Sequence, residues 1–165
     1  MKRLHIVGRK NHGKTTLVVE LVEDLGKRGF RIGTIKHTHH LHELDTPGKD
    51  SYRHRAAGAV IVGILCPSMS AIFFPHENSL HHERSKYDLF ETSMLQCDLV
   101  LVEGDSSTSA PRIEVWRSVM GDLPFAATDP NIDLVVTDDP TDVPSQTTGR
   151  SDIGPLLEWI ISNII

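Results

Sequence analysis

The chain has 165 residues, 17 of them basic and 22 acidic, and a formal net charge of -5. This length suits one α/β domain over residues 1–165, and the mildly acidic balance argues against binding to nucleic acid, which needs a basic surface. No apolar run approaches the ~20 residues of a membrane span and no signal peptide is recognisable, so we expect a cytoplasmic protein with two reduced cysteines.

The first predicted elements form a βαβ unit. Apolar residues recur every four positions over residues 14–28, as on one face of a helix. Short apolar runs at residues 4–7 and 31–36 predict strands before and after that helix. A strand, a helix and a strand in such a short segment imply parallel pairing of the two strands.

The rest of the chain continues to alternate between predicted strands and helices. Helices are expected from residue 50 or 51 to residue 57, over residues 80–97 and over residues 153–165; strands are expected at residues 98–104, 113–116 and 134–136. The fold class indicated is α/β, with a mostly parallel sheet flanked by helices.

A hairpin is predicted separately, from residues 59–65 and 70–74. Both segments are rich in β-forming residues, and in each of them successive residues are apolar, so that both faces of the hairpin would be apolar. A hairpin that is apolar on both faces has to be buried on both sides. A second subunit is one way to cover it.

The most specific motif is GRKNHGKT, residues 8–15, which fits the phosphate-loop pattern G-x-x-x-x-G-K-[ST]. Gly8 and Gly13 allow the tight turn that points backbone N–H groups at phosphate oxygens, and the following helix adds the positive end of its dipole. Lys14 is expected to reach the β- and γ-phosphates, and the Thr15 hydroxyl to bind Mg²⁺.

An acidic residue near the metal is expected at the end of a neighbouring strand. The segment DLVLVEG, residues 98–104, offers Asp98 at its start and Glu103 at its end. Ligands gather at the carboxyl ends of parallel strands, so Glu103 is the candidate.

The segment HTHHLH, residues 37–42, follows the second strand at the same edge of the sheet. In an extended segment His37 and His39 point to one side and His40 to the other, and no cysteine stands nearby, so we expect an active-site border without stoichiometric zinc or nickel. Asp45, a few residues on, is a candidate Mg²⁺ ligand or water-orienting residue.

Four segments in this order resemble the family of molybdopterin-guanine dinucleotide biosynthesis protein B, MobB. They are GRKNHGKTTL, IKHTHH, DTPGKDSYRHRAAGA and DLVLVEG. The resemblance is close over residues 3–66 and looser over residues 97–138. It implies a P-loop NTPase fold and a homodimeric GTP-binding adaptor with weak GTPase activity, which assists a partner nucleotidyltransferase in attaching GMP to molybdopterin. In such dimers the hairpin, residues 59–74, pairs across the subunits.

The resemblance also implies site residues. The nucleotide contacts would be Gly8, Asn11, Gly13, Lys14, Thr15, Thr16 and Asp129; Mg²⁺ would be held by Thr15, Asp45 and Glu103; Lys14 and Asp45 would be catalytic. Asp129, which ends PFAATD, would read the guanine base. Contact of the chain with molybdopterin itself stays open.

Two departures from the family pattern and two alternative functions are visible. Asp105 and Ser106 stand where relatives often have an aromatic residue and a lysine, and the guanine motif N-K-x-D is absent. The histidine-rich segment also suggests a metallochaperone GTPase. Arg84 and Lys86 suggest the lid of a small-molecule kinase or ligase.

Overall fold

The computed structural model describes residues 1–40, 42–74 and 86–165, which fall into two compact units. The first unit comprises Met1–Thr38 and Phe90–Ile165, and the second comprises His39–Leu89. Leu41, His76, His81, His82 and Arg84, and the start of the predicted helix over residues 80–97, lie outside the described residues. No helix among the described residues is long and apolar enough to cross a membrane.

The first unit is a parallel α/β sheet with its helices. Its elements are β1 (Arg3–Val7), α1 (Lys14–Lys27), β2 (Ile32–Lys36), β5 (Leu99–Glu103), β6 (Arg112–Val115), β7 (Leu134–Val136), β8 (Gln146–Thr148) and α4 (Gly154–Asn163). The second unit contains α2 (Asp50–Ala56) and the strands β3 (Val62–Leu65) and β4 (Ser70–Phe73); α3 (Asp88–Glu91) lies where the two units join in sequence.

All six strands of the main sheet run parallel, in the order β2-β5-β1-β6-β7-β8. The P-loop strand β1 is therefore central, with β5 on one side and β6 on the other. The predicted mostly parallel sheet and the βαβ unit are confirmed.

Apolar side chains bury both faces of this sheet. On one face α1 packs through Leu17, Leu21 and Leu25, which are fully buried, and α4 adds Leu156 and Ile160. A smaller cluster contains Val7, Trp116, Ala126, Ile132 and Val135. The four-residue spacing that predicted α1 is thus the spacing of its core contacts.

Two elements differ from the sequence prediction. The predicted helix over residues 80–97 appears in its described part only as α3, followed by turns in which Leu95 N–H donates to Thr92 and Cys97 N–H to Met94. Hydroxyl residues at 92 and 93 compete with the helical backbone bonds, which favours turns. The strand β8 was not predicted because its three residues, QTT, are polar and half-exposed at the sheet edge.

The hairpin of the second unit is present as predicted. The strands β3 and β4 pair antiparallel, with Val62 opposite Phe73 and Leu65 opposite Ser70. Two of its apolar side chains are exposed, Leu65 at 88% and Ile72 at 58%, whereas Val62 is buried and Ile64, Ala71 and Phe73 are half-buried. Exposed apolar side chains of this kind mark a candidate surface for association.

Candidate functional site

The loop of residues 8–15 joins the carboxyl end of β1 to the start of α1. Three of its residues have left-handed backbones, with φ of +134° at Gly8, +69° at Asn11 and +98° at Gly13. Such a turn directs successive backbone N–H groups to one side, and the first turn of α1 adds further N–H groups that have no partner within the helix. The local geometry is that of a phosphate-binding loop.

Lys14 lies inside this loop rather than in solvent. Its ammonium donates a hydrogen bond of 2.7 Å to the carbonyl oxygen of Arg9 at the other end of the loop. Burial lowers the pKa of Lys14, and the nearby charge of Glu103 opposes that shift. The side chain therefore spans the loop where phosphate oxygens would compete for it.

The predicted metal residues Thr15 and Glu103 are brought together. The Thr15 hydroxyl donates to the Glu103 carboxylate at 2.7 Å, and the Lys36 ammonium donates to the same oxygen, Oε1, at 3.0 Å. A hydroxyl and a carboxylate are hard oxygen donors of the kind that Mg²⁺ prefers. The residues present thus fit this ion.

Asp45 belongs to the second unit, where it is 8% exposed. Its Oδ1 accepts hydrogen bonds from the Thr46 N–H and the Ser51 hydroxyl, both at 2.8 Å. Its Oδ2 is buried without a hydrogen-bond partner in the described part of the chain. A buried, half-satisfied carboxylate is costly unless a ligand or water completes it, which is consistent with the predicted ligand role.

A cavity of about 480 Å³ lies beside the phosphate loop. It is lined by His12, Gly13, Thr16, Trp116, Arg117, Val119, Asp138, Asp139 and Arg150. Only Gly13 and Thr16 of this set were predicted. The same strand-end rule that selected Glu103 would have selected Asp138 and Asp139, since both follow β7.

The two carboxylates of this cavity, Asp138 and Asp139, differ in how many hydrogen bonds they already accept. Asp138 accepts hydrogen bonds from the N–H groups of Arg150 and Ser151 and from the Ser151 hydroxyl, and these bonds lower its pKa. Asp139 accepts one from Ser118 N–H at 2.7 Å through Oδ2. Asp139 therefore has the greater capacity to accept hydrogen bonds from a ligand.

The structure does not bring Asp129 to this cavity. Asp129 precedes β7, and its carboxylate forms a two-point ion pair with Arg112, at 2.8 and 3.3 Å, at the start of β6. The Asn131 N–H and the Arg112 guanidinium lower its pKa. These bonds use the carboxylate to hold the loop at the amino ends of the strands, opposite to the ends where ligands gather.

His12, the residue before Gly13, is buried and connects the phosphate loop to the segment after β6. Its Nδ1 accepts a hydrogen bond of 3.1 Å from Arg117 N–H, which requires the tautomer protonated at Nε2. Burial lowers the pKa of His12. Sequence reasoning missed this residue because its position in the motif is unconstrained.

The His12 contact predicts a pH dependence of stability. Since the folded pKa is lowered, the unfolded chain takes up a proton below about pH 6.5 while the folded chain does not, and stability falls as pH decreases. Asparagine at position 12 offers an oxygen in place of Nδ1 but does not titrate. In urea unfolding at pH 7.5 and 5.5, we expect His12→Asn to lose less stability than the native chain on acidification, by up to ~1 kcal/mol. Equal losses would contradict the assignment.

The histidine-rich segment does not form a metal centre in the described residues. Within residues 1–40, 42–74 and 86–165, no three His, Cys, Asp or Glu side chains are grouped so as to hold a metal ion. The rings of His40 and His42 contact each other edge to face, with centroids 5.8 Å apart.

Residues 3–138 match the family described as MobB, molybdopterin guanine dinucleotide synthesis protein B. The chain belongs to the MobB family. It is 34% identical over 154 residues to the molybdopterin-guanine dinucleotide biosynthesis adapter protein of Escherichia coli, covering 90% of this chain and 85% of that protein. It is 34% identical over 142 residues to the protein of the same name from Haemophilus influenzae, covering 85% and 76%.

Solved MobB structures share the fold. A crystal structure of molybdopterin-guanine biosynthesis protein B superposes with a TM-score of 0.71 and 27% identity, covering 97% of this chain and 98% of the other. The Bacillus subtilis MobB structure gives a TM-score of 0.70 at 20% identity, covering 100% and 99%, which speaks for the fold alone. The expected P-loop NTPase fold and the family resemblance are both confirmed.

Proposed function

We propose that the chain is a GTP-binding adaptor of molybdenum cofactor biosynthesis with weak GTPase activity. In this proposal it works in the cytoplasm and assists a partner nucleotidyltransferase that attaches GMP to molybdopterin. Its relatives are named adapter proteins of molybdopterin-guanine dinucleotide biosynthesis, which supports the adaptor role. The observation that carries the proposal is the contact between Thr15 and Glu103 at the end of a phosphate loop, beside a cavity lined by carboxylates. Together these features could bind the phosphates, a divalent cation and the base of a nucleotide.

Each part of the site has a role in this proposal. The N–H groups of residues 8–15, with Asn11 and Thr16 in the loop and at the start of α1, bind the phosphates. Lys14 exchanges its bond to the Arg9 carbonyl for bonds to the β- and γ-phosphates. Thr15 and Glu103 hold Mg²⁺, which supplies positive charge to the phosphate oxygens. For Asp45 of the second unit we keep the expected role of binding the ion or orienting water; its own Oδ2 lacks a hydrogen-bond partner in the described part of the chain.

Slow hydrolysis follows from the composition of this site. The Asp45 carboxylate is the candidate that we propose for orienting the attacking water. Without a cation supplied by a partner, the charge that develops on the leaving diphosphate is only partly compensated. An adaptor needs no faster turnover, because in this proposal the transferase performs the nucleotidyl transfer.

Guanine selectivity in this proposal resides in Asp139 rather than Asp129. Guanine presents two adjacent donors, N1–H and N2–H, to which a carboxylate is complementary, whereas adenine pairs a donor with an acceptor. The Asp139 Oδ1 has no hydrogen bond recorded in the described part of the chain, while Asp129 is engaged by Arg112. The base would thus lie at the carboxyl end of β7.

Calorimetric titration with GTP and with ATP, each with Mg²⁺, tests the function. We expect the native chain to prefer GTP, and Asp139→Asn to lose at least ~10-fold in GTP affinity, about 1.4 kcal/mol, with ATP affinity unchanged. Asp129→Asn serves as the matched carboxylate control. Equal binding of GTP and ATP would overturn GTP selectivity, and a loss confined to Asp129→Asn would return the base to that residue.

We propose that the exposed hairpin joins two copies of the chain. Its exposed apolar side chains include Leu65, Met69 and Ile72. Replacing Ile72 by glutamate should convert a dimer into a monomer in sedimentation experiments, since a charge buried in an apolar interface is strongly unfavourable. Leu123→Glu, at an exposed apolar site in the other unit, is the control. A dimer that persists in Ile72→Glu would contradict the interface.

A further inference from the structure

The last residue of β2, Lys36, shares its acceptor with the metal-binding threonine. In the sheet Lys36 is the register partner of Glu103, and both residues end their strands. The Lys36 ammonium lies 3.0 Å from Glu103 Oε1, the same oxygen that accepts the Thr15 hydroxyl at 2.7 Å. The Lys36 ammonium is thus paired with the Glu103 carboxylate, which the proposed function assigns to Mg²⁺.

This ion pair differs from an ordinary surface pair in its acid partner. The Glu103 side chain is 14% exposed, whereas that of Lys36 is 65% exposed. The carboxylate is fixed by the strand end and by Thr15, while the lysine approaches from solvent on a flexible stem. Of the two, the lysine is the group free to move.

A second lysine faces the same carboxylate. Burial lowers the pKa of Lys14; the charge of Glu103 opposes this shift and that of Lys36 adds to it, so the three charges interact. Two cations and one acid at a phosphate loop leave a net positive charge. When a divalent cation occupies the carboxylate, both lysines are left facing the phosphates.

We propose that Lys36 is the second cation of this site: it neutralises Glu103 in the nucleotide-free chain and turns to the terminal phosphate when Glu103 binds Mg²⁺. The inference rests on the proposed function. At the terminal phosphate Lys36 adds one positive charge, which compensates only part of the charge that develops in hydrolysis, so turnover stays slow without a cation from a partner. In hydrolysis the water oxygen bonds to the terminal phosphorus, the bond to the bridging oxygen breaks, the nucleoside diphosphate leaves with the electron pair, and one water proton passes to solvent.

Two opposite effects on binding follow from this exchange. Lys36 competes with Mg²⁺ for Glu103, so its removal should strengthen the binding of Mg²⁺. Lys36 attracts a terminal phosphate, so its removal should weaken a triphosphate relative to a diphosphate. A lysine with a structural role alone would not give this pair of opposite shifts.

Titration calorimetry of Lys36→Met with Mg²⁺·GDP and with a Mg²⁺-bound, non-hydrolysable GTP analogue tests the inference. We expect the Mg²⁺ concentration at half-maximal GDP binding to fall about 3-fold or more, and the affinity ratio of analogue to GDP to fall about 10-fold. Lys36→Arg, which keeps the charge, should retain the affinity ratio. The matched control is Lys27→Met, since Lys27 forms a comparably exposed ion pair with Asp24 on α1.

The outcomes separate this inference from the proposed function. If the native chain binds GDP and Lys14→Ala does not, but Lys36→Met behaves like Lys27→Met, the role of Lys36 is overturned and the function stands. If the native chain binds no guanine nucleotide, both are overturned. Circular dichroism of each variant ensures that the comparison is between folded proteins.

Discussion

Lys14→Ala is expected to weaken GTP binding by at least ~100-fold, equivalent to about 2.7 kcal/mol, while the chain remains folded. Hydrogen bonds to charged groups contribute about 1.5–3 kcal/mol each, and this ammonium would serve two phosphates. In the nucleotide-free chain its recorded hydrogen bond goes to the Arg9 carbonyl, and burial lowers its pKa, so little stability is lost with it.

Calorimetry with Mg²⁺·GTP and thermal unfolding together check this result. Lys27→Ala is the control, because Lys27 lies on the same helix, is exposed and pairs with Asp24 at 2.6 Å. A folded Lys14→Ala variant that binds GTP as the native chain does would remove the basis for the phosphate-loop assignment.

Gly8→Ala is expected to destabilise the fold by about 3 kcal/mol or more, which lowers the melting temperature by roughly 6–12 °C for a chain of this size. Gly8 has a φ of +134°, and a Cβ at this position would collide with the carbonyl oxygen of Val115 on the neighbouring strand β6. The obstacle is backbone, which cannot move without disturbing the pairing of β1 with β6.

Gly29→Ala separates the collision from the backbone conformation. Gly29 follows α1 with a φ of +92°, and a Cβ there meets no atom of the described chain within 4 Å. This variant should cost only the ~1–2 kcal/mol of a left-handed non-glycine residue. Differential scanning calorimetry of both variants suffices, and equal losses would show that the Val115 contact is unimportant.

The sequence predicts those site residues whose chemistry is specific and which stand at the carboxyl end of a predicted strand. The glycines and Lys14 of residues 8–15 have no alternative explanation between a strand and a helix, and Glu103 follows from the carboxyl-end rule. Lys36 and Glu103 could not be paired in advance, because a strand from residues 32–36 might have bonded to β1 rather than β5. Register across a sheet is a tertiary property.

Asp129 and Asp139 illustrate what the sequence alone does not contain. Both stand in short acidic loops beside the strand β7, Asp129 before it and Asp139 after it. Arg112, 17 residues away, pairs with Asp129 and occupies its carboxylate. The spacing of apolar residues along a sequence does not predict an ion pair of this kind.

The strand order has a consequence for how the protein is made. The phosphate-loop strand β1 is synthesised first, but it pairs with β5 and β6, which begin at residues 99 and 112. Among the described elements, no strand before β5 pairs with β1. About a hundred further residues must therefore be synthesised before the strand that carries the phosphate loop can form its sheet pairings. Folding before that point lacks its central pairings, which is the situation in which long-range parallel sheets form slowly. A truncated product ending before residue 99 would carry the whole motif without the sheet that shapes it.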